Sequence, residues 1–522
     1  MEHLRTPEKR RTLHAHCDFV RISSDRRAQQ LEAECEPYNS FTILLRSTDN
    51  CCERIVHAAS MKMINTKPNI RILFSIGLLA AAEGGSALLI AAKPAPSYVA
   101  HEWGTFTSVQ GSDGVLLDWR PLETSRLPKF VYDWTRPGAN RQAGAGQIFG
   151  KGGLVTRQRM ETPVIYFYSE KEQTVNVSIQ FPQGLITEWY PQASQIGPST
   201  VAVPPVLSKL DNYVHQAGVS PRFTFAAFLA NHGAKESRAE WADLKLLPEK
   251  DNAGLSKLLP FDRSGSHYFA ARETDSDYLE ESSLVATNPS AEREKFIFYR
   301  GAGNFGTPLR VTLGSGEASV LSNTGKDTLE HLFVLDVHEG AGSFIHIERL
   351  ASGEEKTVTQ EPQSENKAVA ELARNLGDRM AEALVKSGLY PRESSALVKT
   401  WSDSWFQEEG LRVLYILPRA WTDQTLPLKL EPAPHELARV MIGRAEVITP
   451  TVQSRLADSL TKASQGDDRA RQVAIAQFRK LGRFGEPALR LVTRGASQEM
   501  TQTAWTLLHE AASMPANVAK AF

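Results

Sequence analysis

Alternating apolar and polar positions predict mostly strands and loops between His101 and about Thr359. Thr174–Phe181 shows the pattern most clearly, because its apolar side chains fall on one face and its polar side chains on the other. Further strand candidates are Pro163–Tyr168, Lys295–Tyr299, Leu309–Leu313, Ala318–Leu321, His331–Val337 and Ser343–Glu348. Closely spaced strands with glycine turns between the later ones predict antiparallel sheets, packed as a sandwich.

Helical spacing replaces this alternation after Gln363. Asn366–Lys386 places its apolar residues on one stripe, and Gly388 follows as a stop signal. Ser394–Phe406 repeats the helical spacing, whereas Leu411–Leu417 is again a strand candidate. The chain therefore changes from a β-rich region to a mixed region of helices and strands.

The periodicity is weaker in residues 182–292, which we interpret as an insertion of loops and helices. Pro204–Gln216 and Ser237–Leu247 are its two helix candidates. Before it, Ala139–Gly153 is rich in glycine but lacks the lysine–serine or lysine–threonine ending of a phosphate-binding loop. We interpret this glycine-rich segment as a mobile surface loop.

The C-terminal residues contain three helical segments separated by short breaks. Asp467–Ile475 opens the first, Leu481–Leu489 forms a turn and the second, and Met500–Ala512 forms the third. The leucine–glycine turn followed by proline–alanine–leucine resembles a HEAT-type helical hairpin over one repeat and part of another. The resemblance implies protein interaction and supplies no catalytic residue. Because repeats of this kind need neighbours to bury a core, we expect a helical appendage on the preceding domain.

These patterns predict an α+β fold in several parts. We expect a β-sandwich-like domain at 93–362 with an insertion near 182–292, a mixed helix and strand region at 363–450, and a HEAT-like appendage at 451–522. A body of this length is too long for one hydrophobic core.

The segment at 61–92 has the parts of a secretory signal. Lys62, Lys67 and Arg71 precede the uncharged run Ile72–Ala82, and small residues follow. Residues 1–60 then form a polar leader, or translation starts at Met61 or Met63. We expect a periplasmic or secreted protein. If 70–92 is not cleaved, this segment is the only contact with a membrane and anchors a body that lies outside the cytoplasm.

Charge and cysteine content exclude several function classes. The 59 basic and 60 acidic residues nearly cancel, so nucleic acid, which requires a basic surface, is not an expected partner. All cysteines precede the signal segment, at Cys17, Cys35, Cys51 and Cys52. Thiol catalysis, disulfides and cysteine metal sites are therefore excluded from the exported body.

Aromatic and acidic residues are densest just after the signal segment. Glu102, Glu161 and Glu188 are candidate catalytic residues, because two carboxylates can serve as acid and as nucleophile or base on a glycosidic bond. The candidate ligand-binding residues are His101, Trp103, Trp119, Arg120, Arg159, Trp189 and Tyr190. In the alternative interpretation, the aromatic residues fill the core and the glutamates pair with Arg120, Arg157 and Arg159.

Three strings in this region carry a resemblance. They are HEWGTFTS from His101, RMETPV from Arg159 and TEWYP from Thr187. They resemble an uncharacterised group of exported bacterial proteins with no assigned activity, and the resemblance spans most of residues 101–450. It implies an exported, folded unit and carries over no site.

No sequence motif identifies a metal site or a cofactor, and we expect neither. Asp211 and His215 are four residues apart but have no further ligand at a diagnostic spacing. Two functions remain open. The first is a protein that binds a protein or glycan outside the cytoplasm. The second is a glycan hydrolase that uses two of the three glutamates, so the sequence leaves open whether the protein is an enzyme.

Overall fold

The strand β1 (Tyr98–Gly111) is buried along its whole length, although it carries several polar residues. The computed structural model describes residues 98–122, 127–133, 154–197, 236–263, 266–281, 291–314, 318–359 and 367–513. All of them belong to the unit Ile90–Phe522. A buried polar side chain needs a hydrogen-bond or charge partner, so β1 depends on the strands and helices around it.

The central sheet has ten strands. Besides β1, its strands are β2 (Tyr132–Asp133), β3 (Gln158–Ser169), β5 (Gly184–Tyr190), β10 (Ile297–Gly303), β13 (Leu329–His338), β14 (Ala341–Leu350), β16 (Lys367–Ala368), β17 (Gly410–Ile416) and β19 (Glu436–Ile448). Their order is β16-β14-β13-β17-β19-β1-β3-β10-β5-β2. β1 is therefore an inner strand, which explains its burial on both faces.

The pairing of β1 corrects the expectation of purely antiparallel sheets. β1 is antiparallel to β3 but parallel to β19, with Glu102 opposite Arg439. β19 is more than 300 residues away along the chain, and no local pattern predicts such a partner. The predicted regions 93–362 and 363–450 consequently share one sheet.

Two smaller sheets cover one face of the central sheet. One contains β4 (Gln173–Phe181), β6 (Gln195–Gly197), β7 (Ser237–Leu247), β8 (Tyr278–Glu281), β9 (Glu292–Glu294) and β18 (Leu428–Glu431), and the other contains β11 (Leu309–Leu313), β12 (Ser319–Asn323) and β15 (Glu355–Val358). Their apolar side chains, such as Val177 and Val311, meet Met441 of the central sheet in what we call the first core.

Most of the helices cover the opposite face and one end of the sheet, whereas Trp421 of the helix Arg419–Thr425 packs against the first core. The α-helices are α1 (Glu249–Asn252), α2 (Val369–Lys386), α3 (Pro391–Phe406), α4 (Arg419–Thr425), α5 (Pro450–Ser464), α6 (Asp468–Leu481), α7 (Gly485–Val492) and α8 (Gln498–Ser513). Short 3-10 helices span Ala253–Leu258, His267–Arg272 and Gly482–Phe484. Leu376 of α2 and Leu397 of α3 lie with Phe333 of the central sheet in a separate apolar cluster, which we call the second core.

The C-terminal helices α5–α8 share a third core with the central sheet. Leu460 of α5 and Phe478 of α6 pack with Val109 of β1 and with Trp119. The side chains of Thr449 and Asp467 accept hydrogen bonds from backbone N–H groups at the starts of α5 and α6. The structure thus confirms an α+β fold.

Most of the predicted elements are confirmed, but Ser237–Leu247 is β7 and not a helix. Asp243 adopts a positive φ of 52°, and the pairing with β4 shifts there. The resulting bulge separates the buried Trp241 and Leu244 by three residues, which imitates helical spacing. The bulge is therefore the reason for the wrong prediction.

Several sequence predictions lie outside the described residues. They are the leader at 1–60, the signal at 61–92, the glycine-rich segment, the helix candidate Pro204–Gln216 and the Asp211–His215 pair. In the part of the chain that is described, none of the helices has both the length and the apolarity needed to cross a bilayer.

Candidate functional site: buried arginine and glutamate clusters

The first candidate residues, His101 and Glu102, lie on opposite faces of the central sheet. Successive side chains of a strand alternate between faces. His101 therefore contacts α3, whereas Glu102 contacts Tyr299 of the first core. Each of the two forms a separate buried cluster.

We define the Glu102 cluster as Glu102, Tyr299, Asp423 and Arg439. Arg439 Nε and the Tyr299 hydroxyl donate to the two carboxylate oxygens of Glu102. Arg439 Nη1 also donates to Asp423 Oδ1 at 2.7 Å, and Asp423 is partly exposed. Burial would lower the pKa of Arg439, but Glu102 and Tyr299 outweigh it and raise this pKa. The guanidinium of Arg439 is therefore held in its charged form.

Glu161 lies on the opposite face, towards α3. Arg483, in the turn between α6 and α7, donates through Nη1 to Glu161 Oε1 at 2.9 Å and through Nη2 to Ser404 Oγ of α3 at 3.0 Å. Burial would raise the pKa of Glu161, but Arg159, Arg483 and Arg444 outweigh it and lower this pKa to about 2. A carboxyl group with this pKa is a poor proton donor at neutral pH.

The remaining charges around Glu161 are also paired. Arg444 donates to Glu446 and to Glu408, the latter at 2.7 Å. Arg412 donates to Glu446 at 2.9 Å and to the backbone carbonyl of Trp405, at the end of α3, at 3.0 Å. A cation at the C-terminus of a helix is favourable because it complements the helix dipole. We call this set, together with Glu161, Arg159 and Arg483, the Glu161 cluster.

Arg159 is the least well paired member of the Glu161 cluster. Its side chain is 5% exposed, and its Nε lies 3.9 Å from Glu161 Oε2. This Nε has no hydrogen-bond partner among the described residues. Burial lowers the pKa of Arg159, with Glu161 acting in the opposite direction. Glu188 of β5 acts on Arg159 electrostatically as well, so Glu161 and Glu188 both influence this arginine.

Glu188 is buried in β5 next to Thr187, whose hydroxyl donates to Glu188 Oε2. In the register of the sheet it stands opposite Arg300 of β10 and Asp133 of β2. The three predicted catalytic glutamates are thus distributed over two faces. Glu102 is separated by the sheet from Glu161.

His101 forms the third buried cluster, with Tyr168, Tyr390 and Glu393. Its Nδ1 lies 2.8 Å from Glu393 Oε2, and the Tyr168 hydroxyl donates to Glu393 Oε1 at 2.7 Å. The Tyr390 backbone N–H donates to the same carboxylate at 2.7 Å. Burial raises the pKa of Tyr168, and Glu393 raises it further. This cluster anchors the start of α3 to β1.

The predicted aromatic ligand contacts are all buried. Trp103, Trp119, Trp189 and Tyr190 are each at most 3% exposed. Their ring faces are therefore covered by other parts of the protein. An exposed ring face is what a sugar needs for stacking, so these residues fit the core-filling interpretation.

Trp119 and Arg120 contact the C-terminal helices. Trp119 packs against Phe484 with ring centroids 6.1 Å apart. The Arg120 backbone N–H donates to Glu486 Oε2 at 3.0 Å, and its guanidinium lies 5.3 Å from the ring centre of Trp505. Both residues thus hold α7 and α8 against the sheet.

Sequence reasoning missed the main arginine partners, Arg439, Arg444 and Arg483. One signal for them was present. Glu436–Ile448 is apolar at most positions but contains Arg439, Arg444 and Glu446, and charges that interrupt an apolar run in a buried strand require buried partners. Arg483 has no comparable signal, since it lies in a turn.

A cavity elsewhere in the structure is lined by none of the predicted residues. This cavity of about 660 Å³ lies between β14 and α2, where Phe344, Asn375 and Arg379 are among its lining residues. No group of three or more histidine, cysteine, aspartate or glutamate side chains is suitably placed for a metal ion among the described residues.

No protein-family model and no curated protein matches the sequence. Solved structures do match, among them the Fcho1 Mu homology domain of Danio rerio with bound Eps15 peptide. The match covers 68% of this chain and 97% of that domain, with 8% identity and a TM-score of 0.23. A likeness at this level supports no conclusion about function.

Proposed function

We propose that the protein is a non-catalytic binding protein that works outside the cytoplasm and recognises a protein partner. The observation that carries the proposal is the burial of the candidate site. Glu102 and Glu161 are held by Arg439 and Arg483, and the four aromatic candidates are at most 3% exposed. A catalytic pair on a glycan requires two accessible carboxylates about 5–9.5 Å apart.

The sequence supports the other parts of the proposal. The signal-like segment at 61–92 favours export, and the resemblance of the C-terminal residues to a HEAT-type hairpin favours protein interaction. α8 presents exposed side chains at Gln502, Thr506 and His509. We therefore assign the exposed face of α8 as the partner surface.

The exported body contains no cysteine, which makes a site-specific crosslinking test simple. A photo-crosslinker is attached to Gln502→Cys on α8 and, as the matched control, to Ser256→Cys on the 3-10 helix Ala253–Leu258. Both positions are exposed. With the periplasmic fraction of the source cells, we expect a discrete protein adduct from Gln502→Cys and none from Ser256→Cys.

The same purified protein is screened against a glycan array and for oligosaccharide hydrolysis. We expect neither binding nor turnover. Turnover that disappears in Glu161→Gln, together with equal labelling from both cysteine positions, would contradict the proposal and support the glycan hydrolase. Glycan binding without turnover would contradict the assignment of a protein partner.

A further inference from the structure

His331 of β13 and His346 of β14 lie on neighbouring strands with their rings directed at each other. His331 Nδ1 and His346 Nε2 are 3.3 Å apart. His346 is exposed, and His331 is partly exposed. We propose that these two histidines form a surface binding site for a divalent transition-metal ion such as Cu²⁺ or Zn²⁺.

The separation of the two nitrogens fits a shared metal ion. Zinc–imidazole bonds are about 2.0–2.1 Å long, so two nitrogens at tetrahedral positions are about 3.3–3.4 Å apart. Imidazole suits zinc, copper and nickel, and affinity for such sites rises from nickel to copper. In the structure the same two nitrogens share a hydrogen bond. When the ion binds, the shared proton leaves this pair, because each neutral ring then carries its proton on its other nitrogen, and rotations of the two rings turn both lone pairs towards the ion.

A bulge in β13 brings His331 to this position. The bulge is on the side of β17, where Glu330 pairs with Ile416 and Phe333 with Leu414, so that His331 and Leu332 stand against one residue. On the side of β14 the register runs without a shift, and His346 is paired with Phe333. His331 adopts a positive φ of 48°, a conformation that is uncommon and strained for a residue other than glycine. Bulges redirect side chains, and here the redirected ring meets His346 across the strand pair.

His346 is also held in place by its neighbours. The ring of Phe333 stacks on it, with centroids 4.3 Å apart and planes 4° apart. This stacking restricts the orientation of the imidazole before any ion arrives. An oriented ligand binds a metal ion with a smaller loss of side-chain entropy.

The charges around His346 change its pKa in opposite directions. Burial lowers its pKa, and His331, Arg379 and Lys386 lower it further, whereas Glu348 raises it. Arg379 and Lys386 of α2 also repel a cation. Glu348, two residues from His346 on the same face of β14, attracts it.

Titration of the purified protein with CuSO₄ or ZnCl₂ near pH 7.5, followed by calorimetry, tests the proposal. In both His331→Gln and His346→Gln we expect one equivalent of bound metal ion to be lost, or the affinity for this ion to fall at least about tenfold. His267→Gln removes an exposed histidine that pairs with Asp403 and serves as the matched control. It should bind like the unchanged protein, which accounts for background binding by the other histidines.

Electron paramagnetic resonance of the Cu²⁺ form gives a second measurement. We expect hyperfine coupling of the Cu²⁺ ion to two imidazole nitrogens, reduced to one nitrogen in either variant. We also expect weaker metal binding near pH 5, where protons compete with the ion for the imidazole nitrogens. Circular dichroism checks that both variants remain folded. Affinity and coupling that are unchanged in both variants, or no binding of either ion up to about 1 mM, would overturn the proposal.

Discussion

At the scale of single residues, burial and pairing decide what the candidate carboxylates can do. The sequence allowed Glu102 and Glu161 to be either catalytic or paired with arginine, and the structure places an arginine on each. The partners are Arg439 and Arg483, not the nearby Arg120 and Arg157. Arg157 pairs with Asp118 instead. The sequence can thus predict that a glutamate in a buried strand needs a cation. Which cation is its partner is determined by the tertiary fold.

Glu161 should make the stability of the protein depend on pH. Its pKa falls from 4.5 to about 2 on folding, so the ionised form stabilises the native state above about pH 4.5. This stabilisation is lost as the pH falls from about 4.5 to about 2. Glu161→Gln should lower the free energy of unfolding by about 3 kcal/mol near pH 7 and by much less near pH 3, measured by urea denaturation.

The control for this prediction is Glu371→Gln, which changes an exposed carboxylate paired with Lys367. It should shift the urea midpoint little at any pH, because exposed ion pairs contribute little to stability. If the deficit of Glu161→Gln were the same near pH 7 and near pH 3, the carboxylate of Glu161 would not be the source of the pH dependence.

At the scale of elements, local periodicity predicted those strands and helices whose buried positions repeat regularly along the sequence. β4 alternates without interruption, and α2 keeps one buried stripe from Leu372 to Leu384, so both were predictable. β7 was not, because the bulge at Asp243 breaks its alternation. The parallel pairing of β1 with β19 was also beyond prediction, since it depends on two segments that only the complete fold brings together.

The bulge in β7 gives an element-scale prediction at Asp243. This residue is exposed and has a positive φ of 52°, so its backbone conformation, not its side-chain packing, sets the effect of a substitution. Asp243→Val should be less stable than Asp243→Gly by about 1–2 kcal/mol, because a β-branched side chain is strained in the left-handed region. Chemical denaturation measures the difference.

Ala242→Val is the matched control, since Ala242 is the adjacent exposed residue in the same strand. Ala242 lies in the same bulge but does not have a positive φ, so a β-branched side chain meets no left-handed strain there and this change should be nearly neutral. Equal stability of Asp243→Val and Asp243→Gly would show that the bulge does not hold residue 243 in the left-handed conformation.

At the scale of the whole molecule, the C-terminal helices are tied to the central sheet by both apolar and charged contacts. Trp119 lies in the third core with residues of α5–α8, and Arg483 links the turn before α7 to Glu161 of β3. Glu161 and Trp119 therefore connect the two parts of the molecule. The helices that carry α8 are therefore docked against the sheet through these two contacts.

Trp119→Ala should loosen these helices before the rest of the protein. Trp119 is 1% exposed and packs on Phe484, and removing such a side chain costs about 3–5 kcal/mol. Trp241→Ala, in β7, removes an equally buried tryptophan from the first core and is the matched control. Limited trypsin digestion with mass spectrometry should show early cleavage within 450–513 in Trp119→Ala only. Because the two variants lose similar packing at different places, an identical order of cleavage would mean that the helices do not depend on Trp119 for docking.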